Sequence, residues 1–146
     1  MHINIADGTV SFDAGSIGPH LGRSEFLRTP VGEGGKSTLV NDGWINVDIR
    51  PEASVIGTVL FENDRMNRIF LSLHMPSDDA GEWTVERELE RKSKHDEWLR
   101  GELGKPPYRF AWGEIVSDFD PRGCASEIII SYASGSRPPA TVVVDP

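Results

Sequence analysis

Val55-Ile56-Gly57-Thr58-Val59-Leu60-Phe61, then Glu62-Asn63-Asp64-Arg65, then Met66-Asn67-Arg68-Ile69-Phe70-Leu71-Ser72-Leu73-His74-Met75, is the stretch that decides the fold class. Two apolar runs of strand length flank Asn63-Asp64-Arg65, whose residue types favour a tight hairpin loop. Both runs are almost continuously apolar, with Thr58, Ser72 and His74 as partial exceptions, and so predict central strands buried on two faces. Upstream, Trp44–Arg50 alternates, with Ile45, Val47 and Ile49 on one face, until Pro51 ends it by lacking a ladder donor. Downstream, Pro76–Gly81 is a loop and residues 84–103 carry helical signals. Thr84 is the expected N-cap, although Arg87 in place of Glu leaves the capping box incomplete. Glu88 with Lys92, Glu90 with Lys94 and Asp96 with Arg100 form favourable i,i+4 pairs. Gly104 stands where a left-handed C-cap belongs, and Pro106-Pro107 forbids continuation. The expected buried stripe is Val85, Leu89, Leu99 and Leu103, with Trp98 beside it and a polar middle.

The remaining segments extend a sheet. Residues 2–13 read as a hairpin turning at Asp7-Gly8. Residues 14–24 look irregular, and Ser24–Leu27 is a short helical turn capped by Ser24. Residues 30–43 form a Gly-rich loop with a short strand at Ser37–Val40. Tyr108–Phe119 and Ala125–Ala133 read as two strands joined by a type I turn at Asp120-Pro121-Arg122-Gly123, with a bulge marked by Trp112-Gly113. Residues 1–133 are thus expected to form one α+β domain: a largely antiparallel sheet of hairpins with one long amphipathic helix packed on one face. Residues 134–146 are expected to form a linker and a tail, with Thr141–Val144 as an edge strand or free. The sheet's second face is left to solvent, a partner or a second copy.

Charge and composition narrow the function. Of 146 residues, 23 are Asp or Glu and 15 Lys or Arg, for a net charge of −8. The acid is spread along the chain: residues 1–75 hold nine acids and six bases, and residues 76–146 fourteen and nine. Phosphate binding needs clustered Lys and Arg, so neither nucleic acid nor an anionic membrane is an expected ligand. A basic protein would be attracted. Cys124 is the one cysteine, which excludes an intramolecular disulfide. The N-terminal residues lack a signal-peptide pattern and no apolar run reaches membrane-span length, so a cytoplasmic location is expected.

No segment carries a catalytic signature. Gly32-Glu33-Gly34-Gly35-Lys36-Ser37-Thr38 resembles the end of a phosphate-binding loop, but Pro30 occupies the position of the first glycine and a strand follows where a helix is needed. His2, His20, His74 and His95 show no metal-ligand spacing. His95-Asp96 is an acid–base pair in composition only, since adjacent helix residues point about 100° apart; His95 reads better as a packing residue. Cys124 has no base nearby in sequence and reads as an inert thiol. No cofactor or metal is expected. Glu114, Asp118 and Asp120 fall at even spacing on one strand face. They form either a solvated face or an acidic row for a partner's Lys and Arg, with Trp112 and Phe119 beside it as aromatic anchors.

His95-Asp96-Glu97-Trp98-Leu99, Leu103-Gly104-Lys105-Pro106-Pro107-Tyr108-Arg109-Phe110-Ala111-Trp112-Gly113-Glu114-Ile115 and Asp120-Pro121-Arg122-Gly123, with Ser24–Leu27 and the Val59–Leu73 hairpin, resemble a family of small bacterial proteins. Some of that family are similar to immunity proteins encoded beside secreted polymorphic toxins of contact-dependent or type VI systems. The resemblance spans residues 24–133. It implies a non-enzymatic inhibitor whose partner is a cognate toxin, many of which are basic because they cut nucleic acid. An acidic face can then stand in for the phosphate backbone. The rival expectations are a scaffold module that forms a homodimer through the uncovered sheet face, and an enzyme built around a pocket at His95 or Cys124.

Overall fold

The central hairpin forms as expected, from β6 (Val55–Glu62) and β7 (Arg65–Leu73) in the computed structural model, which describes residues 1–133. The expected linker at 134–139 and strand at Thr141–Val144 lie outside the described residues. Before β6 come β1 (His2–Ile3), β2 (Val10–Phe12), β3 (Gly15–Ile17), α1 (Arg23–Phe26), β4 (Ser37–Asn41) and β5 (Trp44–Glu52). After β7 come α2 (Val85–Leu103), β8 (Tyr108–Phe110), β9 (Gly113–Asp120) and β10 (Ala125–Tyr132). A seven-stranded antiparallel sheet runs β4-β5-β6-β7-β10-β9-β8, and β1-β2-β3 form a second, three-stranded sheet. The chain is therefore α+β and dominated by antiparallel sheet.

Alternation sets which face is covered. Val47, Val59, Ile69, Ile128, Ile130 and Ile115 point to one face and are buried. α2 lies over β7, β10 and β9 on that face. The rest is covered by the small sheet and α1, with Phe26 packed on Phe61 at 5.2 Å between ring centroids. The expectation that β6 and β7 are buried on both faces is overturned. Their intervening residues, among them Ile56, Leu60 and Phe70, lie on the opposite face, where they are exposed or half-buried and no helix or second sheet of the described residues lies over them, the Gly-rich loop at residues 32–36 rimming one part. The apolar run reflects this open face instead of a second buried one.

Three local expectations also change. The strand expected at Tyr108–Phe119 is a hairpin: Tyr108 pairs with Ile115, Arg109 with Glu114 and Phe110 with Gly113, so the chain reverses at Ala111-Trp112. Gly113 is in the positive-φ region (φ 155°), and a Cβ there would fall 1.9 Å from the Ser131 carbonyl oxygen, so glycine marks a close strand approach. The segment called irregular, residues 14–24, contains β3, and α1 is capped at Gly22 with Glu25 reaching back to its N–H at 3.4 Å, instead of at Ser24.

The helix occupies the expected residues, with the Thr84 hydroxyl accepting from Arg87 N–H at 3.1 Å and Gly104 at φ 87°. Its stripe is the expected one at the C-terminal end, where Leu99 is buried and Trp98 and Leu103 pack against the core, and differs at the N-terminal end. Val85 and Leu89 are exposed, and the buried residues are Glu88, Arg91, His95 and Leu99. The cause is the end of the β7–β10 ladder at Leu71–Ile128. Beyond it, backbone groups of Leu73 and Ser126 need partners, because an unpaired buried backbone group costs about 1–3 kcal/mol. Arg91 Nη1 donates to Leu73 O at 2.6 Å, Leu73 N–H donates to His95 Nε2 at 3.0 Å, and Ser126 N–H donates to Glu88 Oε1 at 2.9 Å. Arg91 also pairs with Glu88 and Asp78. That bond, first among the causes, holds the Asp78 carboxyl down to about 2.

Candidate functional site

The open face of the large sheet carries the candidate site. β-Strand register puts residues directly opposite one another on the same face. One cross-strand row reads Val116, Ile129, Phe70, Thr58, Asp48. The row beside it reads Glu114, Ser131, Arg68, Leu60, Asn46. On the other side of the apolar row, Asp118 faces Glu127, and Asp120 faces Ala125. Val116 and Ile56 are 40% and 45% exposed, large values for β-branched apolar residues in strand interiors. The centre of the face is thus apolar and one end is acidic.

Electrostatics sharpen that end. Burial, then the charges of Asp118 and Asp120, push the Glu127 carboxyl upward. Three carboxylates gathered with no bridging cation side chain among the described residues repel one another, and a cation brought by a partner would relieve the repulsion. Asp120 Oδ1 accepts from Arg122 N–H at 2.9 Å, which closes the turn into β10. At the other end of β9, Arg109 lies 3.9 Å from Glu114, an exposed pair. Beyond β7, the Gly-rich loop at residues 32–36 rims a hollow of about 640 Å³ whose walls include Lys36, Asp48, Arg50, Ile56, Thr58 and Glu127. That loop opens into β4, so no helix N-terminus is there to cradle a phosphate.

The residues singled out from sequence divide between two faces. Glu114, Asp118 and Asp120 lie together on the open face. Phe119 is opposite Ser126 and points to the covered face, away from Asp118 and Asp120. Trp112 is buried in the hairpin turn. Its ring stacks on Phe110 at 4.9 Å, its Nε1–H donates to Ile5 O at 2.9 Å, and Gly8 packs against it. Tyr132 donates to Gly8 O at 2.7 Å in the same cluster. Trp112 therefore fastens the N-terminal sheet to the large one. Aromatics of the open face are Phe70, accompanied by Ile129, Val116 and Ile56, and Trp44 at the start of β5, which alternates onto the same side as Asn46 and Asp48. The signal was present in the strands themselves, in β6–β7 for Ile56 and Phe70 and in β9–β10 for Val116 and Ile129, as apolar residues out of phase with the buried ones.

The residues named for a pocket, Cys124 and His95, are engaged in internal contacts. A hollow of about 340 Å³ near the start of α2 is lined by Cys124, His74, Asp78, Trp83, Glu88 and Arg91 among others. Its polar groups are engaged internally: Arg91 pairs with Asp78 and Glu88, and His74 lies 3.4 Å from Asp78 and from Asp79 beside the hollow. The Cys124 thiol points to Pro121 O at 3.4 Å. His95 is fully buried with its Nε2 used by Leu73. Among the described residues no group of three His, Cys, Asp or Glu is placed to hold a metal ion, and no helix is long and apolar enough to cross a membrane.

The architecture has a counterpart among solved structures. The chain matches a chain of "Rhs1-CT in complex with cognate immunity protein RhsI1" with a TM-score of 0.55, over 92% of this chain and 88% of that one. The fold resembles one seen in an immunity complex. Sequence identity is 16%, so the likeness is one of fold. No family model matches the sequence, and no curated protein matches it.

Proposed function

We propose that this chain is an immunity protein that binds and neutralises a cognate secreted bacterial toxin, and does so without catalysis. The observation that carries the reading is the fold likeness to a chain of an immunity complex, which extends over 92% of the sequence. The open face supplies a surface suited to the task. Phe70, Ile129 and Val116 form an apolar centre, and Glu114, Asp118, Asp120 and Glu127 supply charge around it. A desolvated apolar centre with a charged border is the pattern of stable protein interfaces. The toxin surface that fits it is basic, as expected of a protein that holds nucleic acid, and it would be drawn in by a net charge of −8. The acidic row then occupies the toxin's phosphate-binding groups. In this reading Trp112 acts through the scaffold, by holding β8 and the N-terminal sheet in place, and Phe119 points away from the contact face.

The test is co-expression with the toxin domain encoded beside this chain's gene, followed by titration of the purified pair. Growth is expected to be rescued, and a stoichiometric complex is expected to form. Asp118→Lys and Glu127→Lys should each weaken the complex about tenfold or more, since close charge pairs at interfaces contribute about 1.5 kcal/mol and upward. Absence of both rescue and complex would sink the immunity reading. Rescue with unchanged affinity in both variants would keep that reading and remove the open face as the contact surface.

A further inference from the structure

We propose that β4 is a dimerisation edge, at which a second copy of this chain adds its own β4 antiparallel and joins the two seven-stranded sheets into one. The inference is independent of the toxin reading, since it concerns a sheet edge and not the open face.

The two edges of the sheet are built differently. β8, at one end, has three residues, follows Pro106-Pro107 without N–H donors, and exposes Arg109. Those are the devices that keep edges from pairing. β4, at the other end, reads Ser37-Thr38-Leu39-Val40-Asn41, with no charge and no proline, and all five residues are exposed. Leu39 is 70% and Val40 51% exposed. Such an edge offers a row of unpaired backbone donors and acceptors beside apolar side chains.

The flanking charges select a second copy as the occupant. Lys36 precedes the strand and Asp42 follows it, both exposed and neither in an ion pair within the described residues. In an antiparallel two-fold pairing centred on Leu39, Leu39 meets Leu39 of the other copy, Thr38 meets Val40, Ser37 meets Asn41, and Lys36 meets Asp42. Symmetry makes that last pair twice. An edge guarded against copies of itself would carry one sign at both ends, whereas this one is self-complementary. The strand is short and bulged between Leu39 and Asn41, which confines the new ladder to a few residues. The association is therefore weak, with a dissociation constant on the order of 10 μM.

Sedimentation equilibrium of the full chain at near-physiological salt tests this, with circular dichroism to confirm that each variant is folded. The wild type should dimerise. Lys36→Asp or Asp42→Lys alone should weaken the dimer about fivefold to tenfold by setting like charges opposite each other twice, and the double swap should restore it. Leu39→Lys should abolish it. A monomer at every concentration up to about 1 mM overturns the proposal, because no useful association is then present. A dimer whose affinity ignores the charge swaps, or one lost in Phe70→Arg and kept in Leu39→Lys, overturns it as well, the latter by moving the contact to the open face.

Discussion

His95 shows how much of this structure rests on single side chains. It is wholly buried, its Nε2 accepts from Leu73 N–H, and its Nδ1 has no hydrogen-bond partner. Because Nε2 accepts, the ring is neutral with its proton on Nδ1. Burial, and after it the neighbouring Arg91, lowers its pKa from 6.5 to about 4. The unfolded chain then binds the extra proton first, so stability falls as pH drops from about 6.5 towards 4, by roughly 3 kcal/mol in all. Asp78, lowered to about 2, extends the loss below pH 4, since its stabilising charge disappears as it protonates. Glu127, which is raised, works in the opposite sense and gains stability as pH falls through its own range. Urea unfolding across pH should show the first slope, and His95→Gln should flatten it between pH 6.5 and 4. Gly113→Ala is expected to be more disruptive than any surface change, costing about 3 kcal/mol or more, because the added methyl meets the Ser131 carbonyl where little can move. A thermal melt checks it.

At the scale of elements, α2 separates what is local from what is not. Its limits were readable, since Thr84 and Gly104 end a helix by their own chemistry whatever the helix packs on. Its buried face was readable only in part: Leu99 and the packing role of His95 were, the burial of Glu88 and Arg91 was not. Val85 and Leu89 look like core residues by type, yet Glu88, Arg91 and His95 are buried because an interrupted strand ladder lies beneath them. A polar stripe of this kind tolerates little. Glu88→Ala leaves Ser126 N–H without its acceptor and removes a carboxylate partner of Arg91, and is expected to cost about 3–5 kcal/mol. Leu89→Ala, on the exposed side, should change stability by about 0.5 kcal/mol or less. Chemical denaturation of both variants compares a residue that appears dispensable with one that appears central. The β8–β9 hairpin makes the same point. Gly113 signalled an irregularity, but whether it meant a bulge or a reversal depended on β10 lying against it.

For the molecule as a whole, the distribution of charge gives the prediction. An acidic protein meeting a basic toxin should associate faster at low salt, and raising ionic strength from about 0.05 M to 0.5 M should lower the association rate more than it raises the dissociation rate. Stopped-flow mixing at several salt concentrations measures this. The same experiment on Phe70→Ala should show the complementary effect, a faster dissociation with little change in association, because an apolar anchor acts after encounter.

Strand alternation, turn residues and helix caps are written in neighbouring residues, so the sequence by itself determined an α+β chain, its β6–β7 and β9–β10 hairpins, the span of α2 and the acidic balance. It also placed Glu114, Asp118 and Asp120 on one face, since a period of two is a local property. Tertiary structure alone decided which apolar residues of β6 and β7 remain uncovered, that Glu127 joins the acids across β10, and that Trp112 is buried under Gly8, where it joins the two sheets. Those outcomes depend on which elements meet, and Ile5 and Gly8, which close over Trp112, lie more than a hundred positions away in the chain. No local pattern encodes such a meeting, because burial is a property of the assembled layers and not of the residue that becomes buried.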